Sequence, residues 1–191
     1  MNRRTYCLAL GAAGFAGFSG CLSSVDGEIR PETEPDAIPS FACDDDAFEP
    51  LSGSYSEDDL HWGDTDDFSM RVNALEFTYG DTAEIELGSG LISQDRGNAS
   101  QWNLELYTEQ GWREVRGTTD EDDRKRLDHP SDATNADAEW RIELTEEGIV
   151  EASRHSDVLE VCPALVSGRY RFVFWGLVGA ESIAVAFDID V

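Results

Sequence analysis

Lysine is almost missing: Lys125 is the single one among 191 residues, and Lys and Arg together number 14 against 40 Asp and Glu, for a formal charge of -26. So small a basic complement argues against nucleic acid or an anionic lipid surface as the main partner, because both require a basic face. Histidine is also scarce. His61, His129 and His155 are far apart in the chain, and none has the i, i+4 spacing of a metal-ligating helix. No apolar run approaches the roughly 20 residues that a membrane-spanning helix needs. A Gly-x-Ser-x-Gly elbow and a glycine-rich phosphate loop are both missing, and Gly88-Ser89-Gly90 reads as a turn. These absences leave no nameable nucleophile and base, no metal set and no cofactor cradle. The expectation is a non-enzyme without cofactor or metal.

The acid itself has a physical meaning. With 10% aromatic residues and clear hydrophobic periodicity, the chain is not composed like a disordered one, so the charge must coat a folded object. Such a coat repels itself at low ionic strength and is screened at molar salt, where the Debye length is about 3 Å. The composition therefore points to a halophilic surface. Asp44-Asp45-Asp46, Asp64-Thr65-Asp66-Asp67 and Asp120-Glu121-Asp122-Asp123 fit solvated surface better than cation sites. The run after Asp64 has neither the mid-loop glycine nor the twelfth-position glutamate of a calcium loop; Leu75 stands at twelve.

The first residues read as an address. Arg3-Arg4 precede a short Gly- and Ala-rich apolar stretch from Leu8 to Phe18, which ends in small residues before Cys21. This is the order of a secretory leader, and the arginine pair points to the twin-arginine export route. Phe18-Ser19-Gly20-Cys21 resembles a lipoprotein box, which implies cleavage before Cys21 and a lipid on its thiol, holding the protein at the outer face of the cell membrane. Residues 1–20 are thus expected as a signal peptide and 21–40 as a flexible tether, the latter because Pro31, Pro35 and Pro39 alternate with acids. Residues 41–191 are expected as one folded domain. Cys43 and Cys162 are then the thiols left in an exported domain, and a disulfide between them is expected.

Period-two alternation dominates from about residue 69. Ala83-Glu84-Ile85-Glu86-Leu87 is strict, and Trp102, Leu104 and Leu106, Trp140, Ile142 and Leu144, and Tyr170, Phe172 and Phe174 each oppose polar neighbours. Ile183 to Val191 forms a further run, and strands near Met70–Tyr79 and Trp112–Arg116 complete the set. Gln110-Gly111 predicts a tight hairpin. Thr145 before Glu146 and Glu147 predicts a capped helical turn, the one helical piece in this reading. About seven short antiparallel strands without α/β alternation make an all-β sandwich of two sheets the expected fold.

Leu165-Val166-Ser167-Gly168-Arg169-Tyr170 resembles the entry into the penultimate strand of bacterial and archaeal immunoglobulin-like domains. The resemblance implies an immunoglobulin-like antiparallel sandwich in which the Tyr170 hydroxyl bonds back to upstream backbone. Together with the leader, the chain is similar to the acidic, twin-arginine-exported surface lipoproteins of haloarchaea that carry one such domain. That likeness implies a place and a fold but no substrate.

The functional expectation is a membrane-anchored extracellular binding or interaction module, contacting another envelope protein through loops or an open sheet edge. A divalent-cation or small-solute binding domain is the alternative, and a hydrolase ranks below both. Asn98-Ala99-Ser100 is a glycosylation sequon in an expected loop. The segment from Gly117 to Ala138 is expected as a long polar loop, with Arg124-Lys125-Arg126 neutralising its acids. Trp62 and Trp175 read as core residues or, at sheet ends, as an aromatic binding spot. Substituting Cys21→Ser is expected to shift the protein from the membrane fraction to the medium or to leave an uncleaved precursor; undiminished lipid labelling of the variant would refute the anchor.

Overall fold

The computed structural model describes residues 30–31, 37–38, 43, 46–89, 98–127, 139–177 and 182–191. Arg3, Arg4, Cys21 and His129 lie outside the described residues. The strands are β1 (Glu49–Pro50), β2 (Leu60–Trp62), β3 (Phe68–Val72), β4 (Glu76–Thr78), β5 (Thr82–Ser89), β6 (Trp102–Thr108), β7 (Gly111–Glu114), β8 (Arg116–Thr118), β9 (Glu139–Glu143), β10 (Glu160–Val161), β11 (Gly168–Phe174) and β12 (Ser182–Asp190). Two short helices, α1 (Glu121–Leu127) and α2 (Glu146–Glu151), and a 3-10 turn at Glu57–Asp59 interrupt them.

The protein is mostly β. The larger sheet runs β2-β12-β11-β6-β7, with β4 also on β12; the second runs β3-β5-β9, and a small third sheet runs β1-β8-β10. Pairing is antiparallel except where β2 and β4 run parallel to β12. The alternating runs supply the core as their periodicity requires. Ala83, Ile85 and Leu87 of β5 and Ile142 of β9 are essentially inaccessible, as are Leu104, Leu106, Tyr170, Phe172, Phe174, Val185 and Phe187 of the larger sheet. Trp140 of β9 joins the two sheets, its ring 5.1 Å from that of Phe172 and 5.0 Å from that of Phe174. Burying each such side chain stabilises the fold by about 1.5–3 kcal/mol, so this cross-sheet contact is a main source of cohesion.

Two of the expected strands divide. The stretch Met70–Tyr79 becomes β3 on one sheet and β4 on the other, because Asn73 bonds to β5 while Leu75 already accepts from Asp188 of β12. The stretch Trp112–Arg116 breaks at Val115, whose N–H donates to Leu104 at 3.0 Å while its carbonyl accepts from Cys162 at 2.9 Å. One residue thus passes the chain from the larger sheet to the small one. The Gln110-Gly111 hairpin forms with Thr108 opposite Gly111, whose φ of 91° suits glycine alone. Thr145 caps α2, its Oγ1 accepting from Gly148 N–H at 3.0 Å.

Helix α1 corrects the reading of Gly117–Ala138 as an unstructured loop: Gly117 and Thr118 belong to β8, α1 follows, and 128–138 lie outside the described residues. Its sequence has no apolar stripe to announce it. Charge order supplies the reason: Asp120 Oδ1 accepts from Asp122 N–H at 2.7 Å and Asp123 N–H at 3.2 Å, and acids fill the first turn with bases following. Arg124 pairs with Glu49 at 2.6 Å. Ile38, placed by sequence in the tether, bridges to Thr108 and packs on the core, so ordered contacts begin before residue 41. Cys43 and Cys162 are disulfide-bonded, with Cα atoms 5.6 Å apart, and this bond ties the start of the domain to β10.

The Tyr170 hydroxyl donates to the Val166 carbonyl at 2.9 Å and accepts from Val166 N–H at 3.1 Å. Burial pushes its pKa up to about 12, opposed by the Val166 hydrogen bond. An unfolded tyrosine ionises near about 10, so stability from this group is complete below that pH and is lost as pH rises toward the folded value. Tyr170→Phe is therefore expected to lower unfolding free energy by about 1–2 kcal/mol and to flatten the alkaline loss, as denaturant titrations across that pH range would show; an unchanged midpoint would contradict the role.

Candidate functional site

Alternation places Arg169 and Arg171 on the outer face of β11, opposite Tyr170 and Phe172, where water is the ordinary neighbour. Arg171 is instead only 1% exposed, and Val173, Ala184 and Ala186 on the same face are fully covered. An arginine cannot be left there unpaired, since a buried charge without partners costs several kcal/mol. Its Nε donates to Glu105 Oε2 of neighbouring β6 at 2.7 Å, and Nη1 donates to Glu57 Oε2 at 2.9 Å. Its Nη2 donates to the second Glu57 oxygen and to the Tyr55 hydroxyl, the latter at 3.1 Å. Tyr55 in turn donates to Glu105 Oε1, which also receives Asn103 Nδ2 at 3.0 Å.

Segment 55–57 is therefore a strap fastened to the sheet by one guanidinium. Glu57 remains 60% exposed in its side chain while Glu105 is 6% exposed, so the two carboxylates play unequal parts. The buried pair with Glu105 depends on its partner, whereas Glu57 retains solvent. Burial, with Glu105 alongside, raises the Tyr55 pKa well above the ordinary tyrosine value, so the phenol stays a donor. Burial lowers the Arg171 pKa, but the surrounding Glu57 and Glu105 outweigh it and the net shift is upward.

An aromatic roof closes the arrangement. Trp62 of β2 and Trp112 of β7 come from opposite edges of the larger sheet, yet their rings lie 6.3 Å apart. The Arg171 guanidinium carbon is 4.5 Å from the Trp112 ring centre and 5.9 Å from that of Trp62. Tyr107 packs on Trp112 at 5.0 Å, and Arg30 sits over Trp62 at 4.7 Å. Trp62, Tyr107 and Trp112 are each half-buried, so every ring keeps some contact with solvent.

A pocket of about 210 Å³ opens beside this network, between the start of β6, β8 and the turn after α2. Asn103 joins the two features: Nδ2 holds Glu105, and Oδ1 accepts from Trp175 Nε1 at 3.1 Å in the pocket wall. Beneath it, Arg116 stacks on Trp102, its guanidinium carbon 3.6 Å from the ring centre, and Nε pairs with Glu114 at 2.9 Å. Nη1 donates to Ser153 Oγ at 2.9 Å. Burial tends to raise the Glu114 pKa, against the pull of Arg116.

Trp62 and Trp175 accordingly serve different features, the first the roof and the second the pocket. His155 lines the pocket, while His61 is exposed on β2. Asn98, expected as an exposed acceptor, is 6% exposed in the pocket wall, its Oδ1 accepting from Ser100 N–H at 3.1 Å and Oγ at 2.7 Å. Glycosylation of Asn98 would require that turn to open. Asp64 holds Arg71 in a two-pronged pair at 2.9 and 3.0 Å, and Asp120 caps α1, so both have structural partners. The Arg171 and Arg116 networks were not apparent from sequence: Glu105 and Glu57 lie 66 and 114 residues from Arg171. The one available signal was an arginine opposite an acid on the polar side of long alternating runs.

Compared with known protein families, with curated proteins and with solved structures, the chain matches none.

Replacing Arg171 by Met leaves Glu105 buried without its cation and is expected to cost about 3–5 kcal/mol in denaturant unfolding. Replacing Arg171 and Glu105 together by Met removes both charges and is expected to recover most of that loss. Equal destabilisation by the single and double variants would contradict a coupled buried pair.

Proposed function

We propose that this protein is a membrane-anchored extracellular interaction module that docks another envelope protein on the outer face of its larger sheet. The observation that carries the reading is the assembly of Trp62, Tyr107 and Trp112 around Arg171. Trp, Tyr and Arg are the residue types that dominate binding energy at protein interfaces, and they do so where neighbouring groups hold them in place. Here the rings are half-buried and fixed by one another and by a guanidinium that is itself bonded on several sides. A partner would meet a surface whose side-chain entropy is already largely lost, which lowers the cost of association.

An immunoglobulin-like sandwich belongs to the same proposal. Supporting it are the two facing sheets, the passage of the chain from β3 on one to β4 on the other, and the Tyr170 hydroxyl bonded back to Val166. Export and lipid anchoring rest on Arg3, Arg4 and Cys21 in the sequence, and the Cys43–Cys162 bond is in keeping with an oxidising compartment. The acid coat suits high external salt.

Crosslinking in intact cells at their growth salinity, followed by recovery through a C-terminal tag, is the test. A stoichiometric envelope protein is expected with the native chain and is expected to be lost with Trp112→Ala. Recovery of the same partner in equal yield from that variant would place docking elsewhere, and recovery of nothing above background would refute the interaction role.

A further inference from the structure

We propose that the aromatic roof is a receptor for this chain's own Arg30 and Ile38, which dock on it together and which a binding partner has to displace. Between Arg4 and Arg71 the sequence holds fifteen Asp and Glu but a single Lys or Arg, Arg30. That lone cation lies over Trp62, 4.7 Å from the ring centre. Ile38 grips the roof from the side of Tyr107. Its N–H donates to the Tyr107 carbonyl at 3.5 Å, and its carbonyl accepts from Glu109 N–H at 3.1 Å. Trp112 packs on both Trp62 and Tyr107, so the two contacts flank one cluster of rings.

Local chemistry prepares both residues for this role. Each stands directly before a proline, in Arg30-Pro31 and Ile38-Pro39. The proline ring disfavours helical backbone in the residue ahead of it, so both anchors are biased to extended geometry before they touch the sheet. Ile38 then bridges in parallel to Thr108. Its seat depends on Gly168, where an added Cβ would stand 2.9 Å from Ile38 Cδ1. Arg171, beneath the same rings, does not repel Arg30 because Glu105 and Glu57 answer its charge. A guanidinium on an indole and a backbone bridge are contact interactions, which persist at molar salt where the Debye length is about 3 Å.

Connectivity lets such weak contacts suffice. Ile38 lies five positions before Cys43, which is bonded to Cys162 of β10. A short link to a fixed point presents its end at an effective concentration on the order of millimolar, and a separate chain offering the same contacts has to exceed that. Residues 32–36 lie outside the described residues, and the docking rests on the two anchors. If the interaction reading above holds, on which this last step rests, the partner presents an extended segment with its own cation for Trp62.

The test uses the full folded domain at growth salinity and a synthetic peptide of its residues 28–40. Arg30→Gln, at an exposed position, is expected to speed hydrogen exchange of the Glu109 N–H about threefold, because loss of one anchor loosens the other. The double variant Arg30→Gln, Ile38→Ser is expected to bind the peptide saturably, at least about tenfold tighter than the native chain does, as read by tryptophan fluorescence; adding Trp62→Leu is expected to abolish that binding. Unchanged Glu109 exchange in Arg30→Gln would overturn joint docking, and this single variant serves even where the double one fails to fold. Equal peptide affinity of the native chain and the folded double variant, or no saturable binding to the latter, would overturn it as well. Neither readout involves an envelope protein, so failure here is distinguishable from failure to recover a crosslinked partner.

Discussion

One buried guanidinium organises the outer face of this protein. A β-strand that alternates correctly still leaves half its side chains on a second face, and alternation is silent about what covers that face. Arg171 answers the question locally: it binds Glu105 on the adjacent strand, Glu57 and Tyr55 on the strap, and lies against Trp112. Because the charge is buried, each partner is demanded by the next. The strap must be present to complete the arginine, the arginine must be present to neutralise Glu105, and the indoles exclude water from both. Small outer residues, Ala184 and Ala186, leave room for this cover to lie close to the sheet.

Arg116 repeats the device at the neighbouring sheet. It too is stacked on an indole, paired with a glutamate two residues away and bonded to a hydroxyl from a distant turn. In a chain with 14 basic residues against 40 acids, committing Arg116 and Arg171, as well as Arg169, to buried positions is an unusual use of scarce cations. Buried ion pairs contribute little net stability compared with apolar packing, and their best-attested role is to select one arrangement among several. Here they fix where the strap and the turn after α2 sit, and thereby shape both the aromatic roof and the pocket, which Asn103 connects.

The inner half of the fold was legible because hydrophobic alternation reports directly which residues face a core. Ala83, Ile85 and Leu87, and Tyr170, Phe172 and Phe174, all point inward as the period requires. Local chemistry was legible too, in the Thr145 cap and the Gly111 turn. Strand breaks were not, since Val115 and Asn73 change sheets through hydrogen bonds to remote residues that no local pattern encodes. Helix α1 escaped because charge order, rather than an apolar stripe, supports it. The outer-face network escaped for a deeper reason: Arg171 and Glu105 occupy polar positions of their strands, and period-two logic assigns such positions to water.

That misassignment is also the most direct point at which the account can be tested. The measurement is the exchange of the Arg171 Nε–H with water, followed by nitrogen-resolved NMR of the folded domain at molar salt. A sharp, slowly exchanging resonance with cross-relaxation to the Trp112 ring protons is predicted for a guanidinium sealed between Glu105 and the aromatic roof. A signal that exchanges as fast as that of a solvated arginine, with no contact to Trp112, would contradict the buried pair and the covered face built on it.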